Sequence, residues 1–137
     1  MPDIIAVDPG STTGWARFHS SSQKPEMIGE VKKEEFHSWL ADFTEHGLVW
    51  VVEDYIIRPP NRGQGGHDHF WNKGETLRLI GAIQYHAYIY EQLFYLQQPS
   101  LKPLAYKQMG AEYIKGKPNR HIQDAIAHGV HFIGKNF

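Results

Sequence analysis

Three carboxylates are set into this chain in the same style. Asp8 closes the apolar run Asp-Ile-Ile-Ala-Val-Asp, Glu53 closes Leu-Val-Trp-Val-Val-Glu, and Asp124 stands three residues after His121 in a late amphipathic stretch. Burying a carboxylate at the end of an apolar run is costly unless a partner or a metal compensates its charge. Strand ends of an α/β sheet face the crevice where such folds place their chemistry. Three carboxylates and one imidazole converging there would form a hard-cation site for Mg²⁺ or Mn²⁺. Two such ions about 4 Å apart would hydrolyse a phosphodiester, one activating water and the other stabilising the leaving oxygen. The same residues admit a plainer reading: Asp8 opens a turn, Glu53 ends a strand in solvent, and His121 and Asp124 form a surface pair.

Convergence depends on the elements that carry these residues. Residues 3–8 read as a buried strand stopped by Pro9-Gly10, and 13–19 alternate as a second strand. Residues 26–31 suggest a short third strand. Phe36, Trp39, Leu40 and Phe43 give helical spacing across 34–45, and 48–53 form a central strand. Residues 57–72, with two Pro and three Gly, read as a long loop. Helical spacing resumes over 74–93, a strand follows at 94–98, and a short helix at 103–114. Lys115-Gly116-Lys117-Pro118 is a basic turn, and Asn119 is the expected N-cap of a last helix over 120–133.

The order β-β-β-α-β-α-β-α-α predicts a mixed sheet with helices packed on it, in one domain spanning 1–137. At about 100° per residue, His121 and Asp124 share one face of the last helix. Ile122, Ala125, Ile126, Gly129 and Ile133 form the adjoining stripe, and the small Ala125 and Gly129 would let that helix approach the sheet. The acids then meet if the first and fourth strands are neighbours.

Composition excludes several classes. The 137 residues contain no Cys, which rules out disulfides, zinc ribbons, iron–sulfur clusters and thiol nucleophiles. No apolar run reaches the roughly 18 residues of a membrane helix. The opening Met-Pro-Asp-Ile-Ile has no secretory character, so a cytoplasmic location is expected. Net charge is −1, but it is unevenly spread. Residues 1–53 hold four basic and nine acidic side chains (−5), whereas 54–137 hold ten and six (+4), the half a polyanion would prefer. His67, His69, His128 and His131 lack a matching Cys or carboxylate set, and are expected to be solvent-exposed rather than zinc ligands.

Four segments together carry a family likeness. "IIAVDPGSTTGWA" at 4–16 resembles the first strand and turn of RuvC-type Holliday-junction resolvases, within the ribonuclease H-like nucleases. "VVEDY" at 51–55 resembles their second acidic strand, "KGETLRLIGAI" at 73–83 the following helix, and "NRHIQDAIAHG" at 119–129 the closing helix. The style is nearest the short, phage-type members, which implies a phage-encoded or bacterial intracellular protein. The resemblance implies a five-stranded mixed sheet, three strands antiparallel and then parallel, flanked by helices. It implies Asp8, Glu53, His121 and Asp124 as catalytic metal ligands for two Mg²⁺ or Mn²⁺ ions. Some members have Asp where this chain has His121. An imidazole there favours Mn²⁺ at least as well as Mg²⁺, and implies activity that falls as pH drops through roughly 6.5.

The implied activity is paired cleavage of four-way or other branched DNA by a homodimer, since a junction of near two-fold symmetry needs two sites. The helix at 74–93 is the expected interface, through Leu77, Ile80, Ile83, Tyr85, Tyr88 and Ile89; a thick core would use the same residues. Arg58, Arg62, Lys102, Lys107, Lys115, Lys117 and Arg120 are expected to neutralise phosphates, and Tyr55, Phe70 or Trp71 to stack on an unpaired base. Two rivals remain. "VDPGSTTG" also resembles the first phosphate loop of actin-like and sugar-kinase ATPases, which would make the chain a single-lobe phosphate-loop protein. The other is a nuclease of broader specificity for branched DNA.

Overall fold

The computed structural model describes residues 2–19, 22–55, 67–110 and 119–136, with 67–73 described by backbone alone. Five strands form one sheet in the order β3-β2-β1-β4-β5: β1 (Ile4–Asp8), β2 (Thr12–Phe18), β3 (Pro25–Lys32), β4 (Val49–Glu53) and β5 (Leu93–Gln97). The first three strands pair antiparallel, and β1, β4 and β5 run parallel. This is the expected mixed sheet, and β1 and β4 are direct neighbours. Both are buried along their whole length, as their unbroken apolar runs require of central strands covered on two faces.

Among the described residues, four helices cover the sheet: α1 (Phe36–Leu40), α2 (His67–Ile89), α3 (Lys102–Gln108) and α4 (Arg120–Asn136). Strand alternation divides the core in two. Ile5, Val7, Trp50 and Val52 pack with Phe36, Leu40, Ile80 and Ile83 of α1 and α2. Ile4, Ala6, Val49 and Val51 face the other way and pack with Val130, Phe132 and Ile133 of α4. Buried Trp50 donates its indole N–H to Gln92 Oε1 at 2.7 Å, so its polar atom is satisfied inside the core.

Several boundaries differ from expectation. Helix α1 ends at Leu40, with Ala41 to Phe43 closing it by turn-type hydrogen bonds. Helix α2 takes in residues from His67, inside the expected loop, and 67–72 contain neither Pro nor Gly. Helix α3 stops at Gln108, ahead of Gly110, which takes the left-handed φ of +73°. Asn119 has φ +60°, and its carbonyl accepts the Gln123 amide at 3.1 Å, so it leads into α4 through its main chain. Ile80 and Ile83 belong to the core, whereas Leu77, Tyr85, Tyr88 and Ile89 remain exposed on α2.

Candidate metal centre

The register of the central strands brings two of the acids together. Val7 pairs with Val52, so the next step along both strands sets Asp8 beside Glu53 at the C-terminal end of the sheet. Both are buried, and their carboxyl groups lie within hydrogen-bonding reach. Helix α4 supplies the rest. His121 Nδ1 stands 3.0 Å from Asp8 Oδ2, and Asp124 is buried one turn further on.

Two glycines permit this approach. Gly14 pairs with Asp8 across β1 and β2, and a Cβ there would collide with the His121 carbonyl and the Ile122 amide. At Gly129 a Cβ would strike the Phe18 ring. The first turn of α4 therefore lies on β2 backbone, and this is what aims His121 at Asp8. The small-residue stripe on α4 pointed to Gly129. Gly14 was missed because its requirement arises from the partner helix, not from its own strand.

Sequence reasoning also missed the groups that answer the acids. Lys102 bridges Glu53 Oε1 at 2.8 Å and Asp124 Oδ2 at 3.3 Å. Asp124 Oδ1 accepts the Tyr106 hydroxyl at 2.8 Å and Arg120 Nε at 2.9 Å. Lys102 and Arg120, expected on the DNA surface, thus turn into the acidic cluster. Sequence placed them by charge alone, and only the packing of α3 on α4 faces them inward. His128, expected in solvent, is 1% exposed and donates Nε2–H to Glu53 Oε1 at 3.1 Å. Its position, four residues after Asp124 on the same face, was the available signal.

The charge balance polarises the two central carboxyls. Burial pushes Asp8 up to about 7; the His121 hydrogen bond opposes this, and the Glu53 and Asp124 charges reinforce it. Burial also works against ionised Glu53, but hydrogen bonds from His128, Asp8 and Lys102 outweigh it and hold the group down at about 2. The shared proton therefore belongs to Asp8. The Asp8 hydrogen bond raises His121 above the ordinary imidazole value. Lys102 is raised as well: burial opposes its charge, but Glu53, Asp124 and Asp8 prevail.

The donor set suits a hard divalent cation, with three carboxylates and one imidazole, and burial disfavours the ionised form of Asp8 that added positive charge would restore. No three of these ligand atoms lie within 4.8 Å of one another; among the described residues only Asp3, His19 and Glu26 do so, at the opposite end of β1. There Asp3 is already held by Arg17 at 2.8 Å. In the acidic cluster the Lys102 ammonium lies between Glu53 and Asp124, supplying the charge that an ion would otherwise bring. Asp8, Glu53, His121 and Asp124 thus have the chemistry of cation ligands, but they would have to draw closer to share an ion, and Lys102 would have to shift off Glu53 and Asp124.

Of the remaining expected site residues, Lys107 is exposed on α3. Tyr55 packs against the α1–α2 core and lines a cavity of about 460 Å³ with Gly10, Lys33 and Thr76. Arg58, Arg62, Lys115 and Lys117, and the side chains of Phe70 and Trp71, lie outside the described residues. No described helix is long and apolar enough to cross a membrane.

No family model matches this sequence, and no curated protein matches it. Among solved structures, the fold is similar to that of T. thermophilus RuvC in complex with a Holliday junction substrate. The match has 15% identity and a TM-score of 0.63, and covers 98% of this chain and 95% of that one. The chain therefore has the RuvC-type, ribonuclease H-like fold that its sequence resembles.

Proposed function

We propose that this protein is a divalent-cation-dependent endonuclease that resolves four-way or other branched DNA by paired phosphodiester hydrolysis. The observation that carries the reading is the meeting of Asp8, Glu53, His121 and Asp124 at one end of a RuvC-like sheet, from segments more than 100 residues apart at the extremes. Acids scattered by chance over a surface have no reason to share buried positions, a bridging lysine and a common proton.

In this account Asp8, Glu53, His121 and Asp124 hold Mg²⁺ or Mn²⁺. Bound cations would lower the pKa of an attacking water and neutralise charge on the scissile phosphate. Asp8 must release its proton and His121 must be neutral for their atoms to serve as ligands. Tyr106 and Arg120 fix the Asp124 carboxylate by donating to Oδ1. Lys102 keeps Glu53 and Asp124 compensated until their charge is taken up elsewhere.

Phosphate contacts are assigned to Lys107, Arg58, Arg62, Lys115 and Lys117, which belong to the net-basic part of the sequence. A second copy is assigned to the exposed α2 face, where Tyr85, Tyr88 and Ile89 are at least half exposed beside a groove of about 390 Å³ between α1 and α2. The deciding experiment incubates the protein with a labelled mobile four-way junction and Mg²⁺ or Mn²⁺, alongside Asp8→Asn. Symmetric nicks from the wild type alone support the reading. Equal incision of flaps and forks would broaden the substrate, and nucleotide hydrolysis without DNA would favour the phosphate-loop alternative.

A further inference from the structure

His128 is the most deeply buried titratable side chain of α4, with 1% of its surface exposed, one turn after Asp124 and beside the apolar residues that pack against the sheet. Burying an imidazole there costs free energy unless its ring nitrogens find partners. Nε2 reaches Glu53 Oε1 at 3.1 Å, and Nδ1 faces Gln97 Oε1 at 3.3 Å. Gln97 is itself buried and stands beside Glu53 in the parallel β4–β5 register. Its amide Nε2–H donates to the His128 carbonyl at 3.1 Å, which fixes which end of the amide meets the ring. With Nε2–H given to Glu53, Nδ1 donates to Gln97 Oε1 only in the imidazolium form, and in that form Glu53, His128 and Gln97 make a chain of hydrogen bonds tying a strand end to a helix.

We infer that His128 and Gln97 are a positioning pair that fixes the Glu53 carboxylate as a cation ligand; the inference rests on the nuclease reading above. Lys102 also meets Oε1, but it is shared with Asp124. His128 is held by the body of α4 and spends no interaction on the other acids of the cluster. With Oε1 taking two donors, Oε2 carries the ligand capacity that remains. A glutamate has three side-chain torsions to restrain, and hydrogen-bonded partners of this kind typically set metal affinity by 10–100-fold.

The test is Mn²⁺ titration of the intact protein by calorimetry at pH 8 without DNA, comparing wild type with His128→Leu, His128→Gln and Gln97→Leu. His128→Leu should weaken Mn²⁺ binding by about 10–100-fold and Gln97→Leu by about 10-fold. His128→Gln, whose amide N–H can still reach Oε1, should recover part of the loss. A purely structural role would move the melting temperature and leave the Mn²⁺ affinity of the folded variants alone. Affinity within twofold of wild type in every folded variant overturns the inference. If His128→Leu does not fold, Gln97→Leu decides the matter by the same criterion. A wild type that binds no Mn²⁺ overturns both this inference and the nuclease reading, whereas a normal wild type with unaffected variants overturns this one alone.

Discussion

Replacing Asp8 by Asn should make the cation-free protein more stable at alkaline pH while abolishing cleavage. The side chain is buried and held near 7 instead of its ordinary 3.8. Between those values the folded state binds more protons than the unfolded chain, so stability falls as pH rises through that window. At about 1.4 kcal/mol per unit, a shift of roughly three units sets a ceiling of about 4 kcal/mol on the cost of ionising Asp8 at pH 8. One contribution reduces the net gain. Asn forfeits the charge-assisted bond to His121, although its amide N–H can still donate to Glu53. A net gain of about 1–2 kcal/mol remains, or about 3–7 °C in Tm for a domain of this length. The assay is thermal unfolding by circular dichroism in EDTA from pH 5 to 9. The expected curves meet near pH 5 and diverge above it, with the variant melting higher. Adding Mn²⁺ should raise the wild type and leave Asp8→Asn unmoved. A variant less stable than wild type at pH 8, or a difference that ignores pH, would refute the reasoning.

Three other substitutions probe separate parts of the account. Gly14→Ala forces a methyl against the backbone of the first turn of α4, and overpacking against backbone costs about 1–3 kcal/mol; denaturant melts should show this loss, with cleavage falling further because His121 is pushed off Asp8. Tyr88→Lys places a charge on the exposed face of α2, and sedimentation should show monomers with an unchanged melting temperature if that face joins two copies. His121→Asp removes the one imidazole among the ligands. The wild type should lose activity as pH falls through a value above the ordinary imidazole range, because the Asp8 hydrogen bond raises His121. The variant should lose that acid limb and shift its preference from Mn²⁺ towards Mg²⁺; an unchanged profile would remove His121 from the ligand set.

What could be read from the residues was what depends on local pattern. Unbroken apolar runs at 4–8 and 49–53 define central strands, and acids closing both runs define where chemistry would sit. The 3.6-residue period of α4 put His121 and Asp124 on one face and marked Gly129 as a close contact. What could not be read depends on which elements pack together. Lys102 and Arg120 look like surface cations in sequence, and become partners of the acids only because α3 lies on α4. His128 looked like a spare histidine because its partner, Glu53, lies 75 positions away. Tyr106 carried no signal at all until its hydroxyl was seen on Asp124. The start of α2 was displaced for a different reason: prolines and glycines at 59–66 colour the composition of a window that reaches into residues 67–72, which contain neither.

The most direct measurement is an anomalous difference map from crystals soaked in Mn²⁺ and collected at the manganese edge. The account predicts density within about 2.5 Å of oxygens from both Asp8 and Glu53, with Lys102 withdrawn from Asp124. A peak only at Asp3, His19 and Glu26, or none beside Asp8 at saturating Mn²⁺, would contradict it.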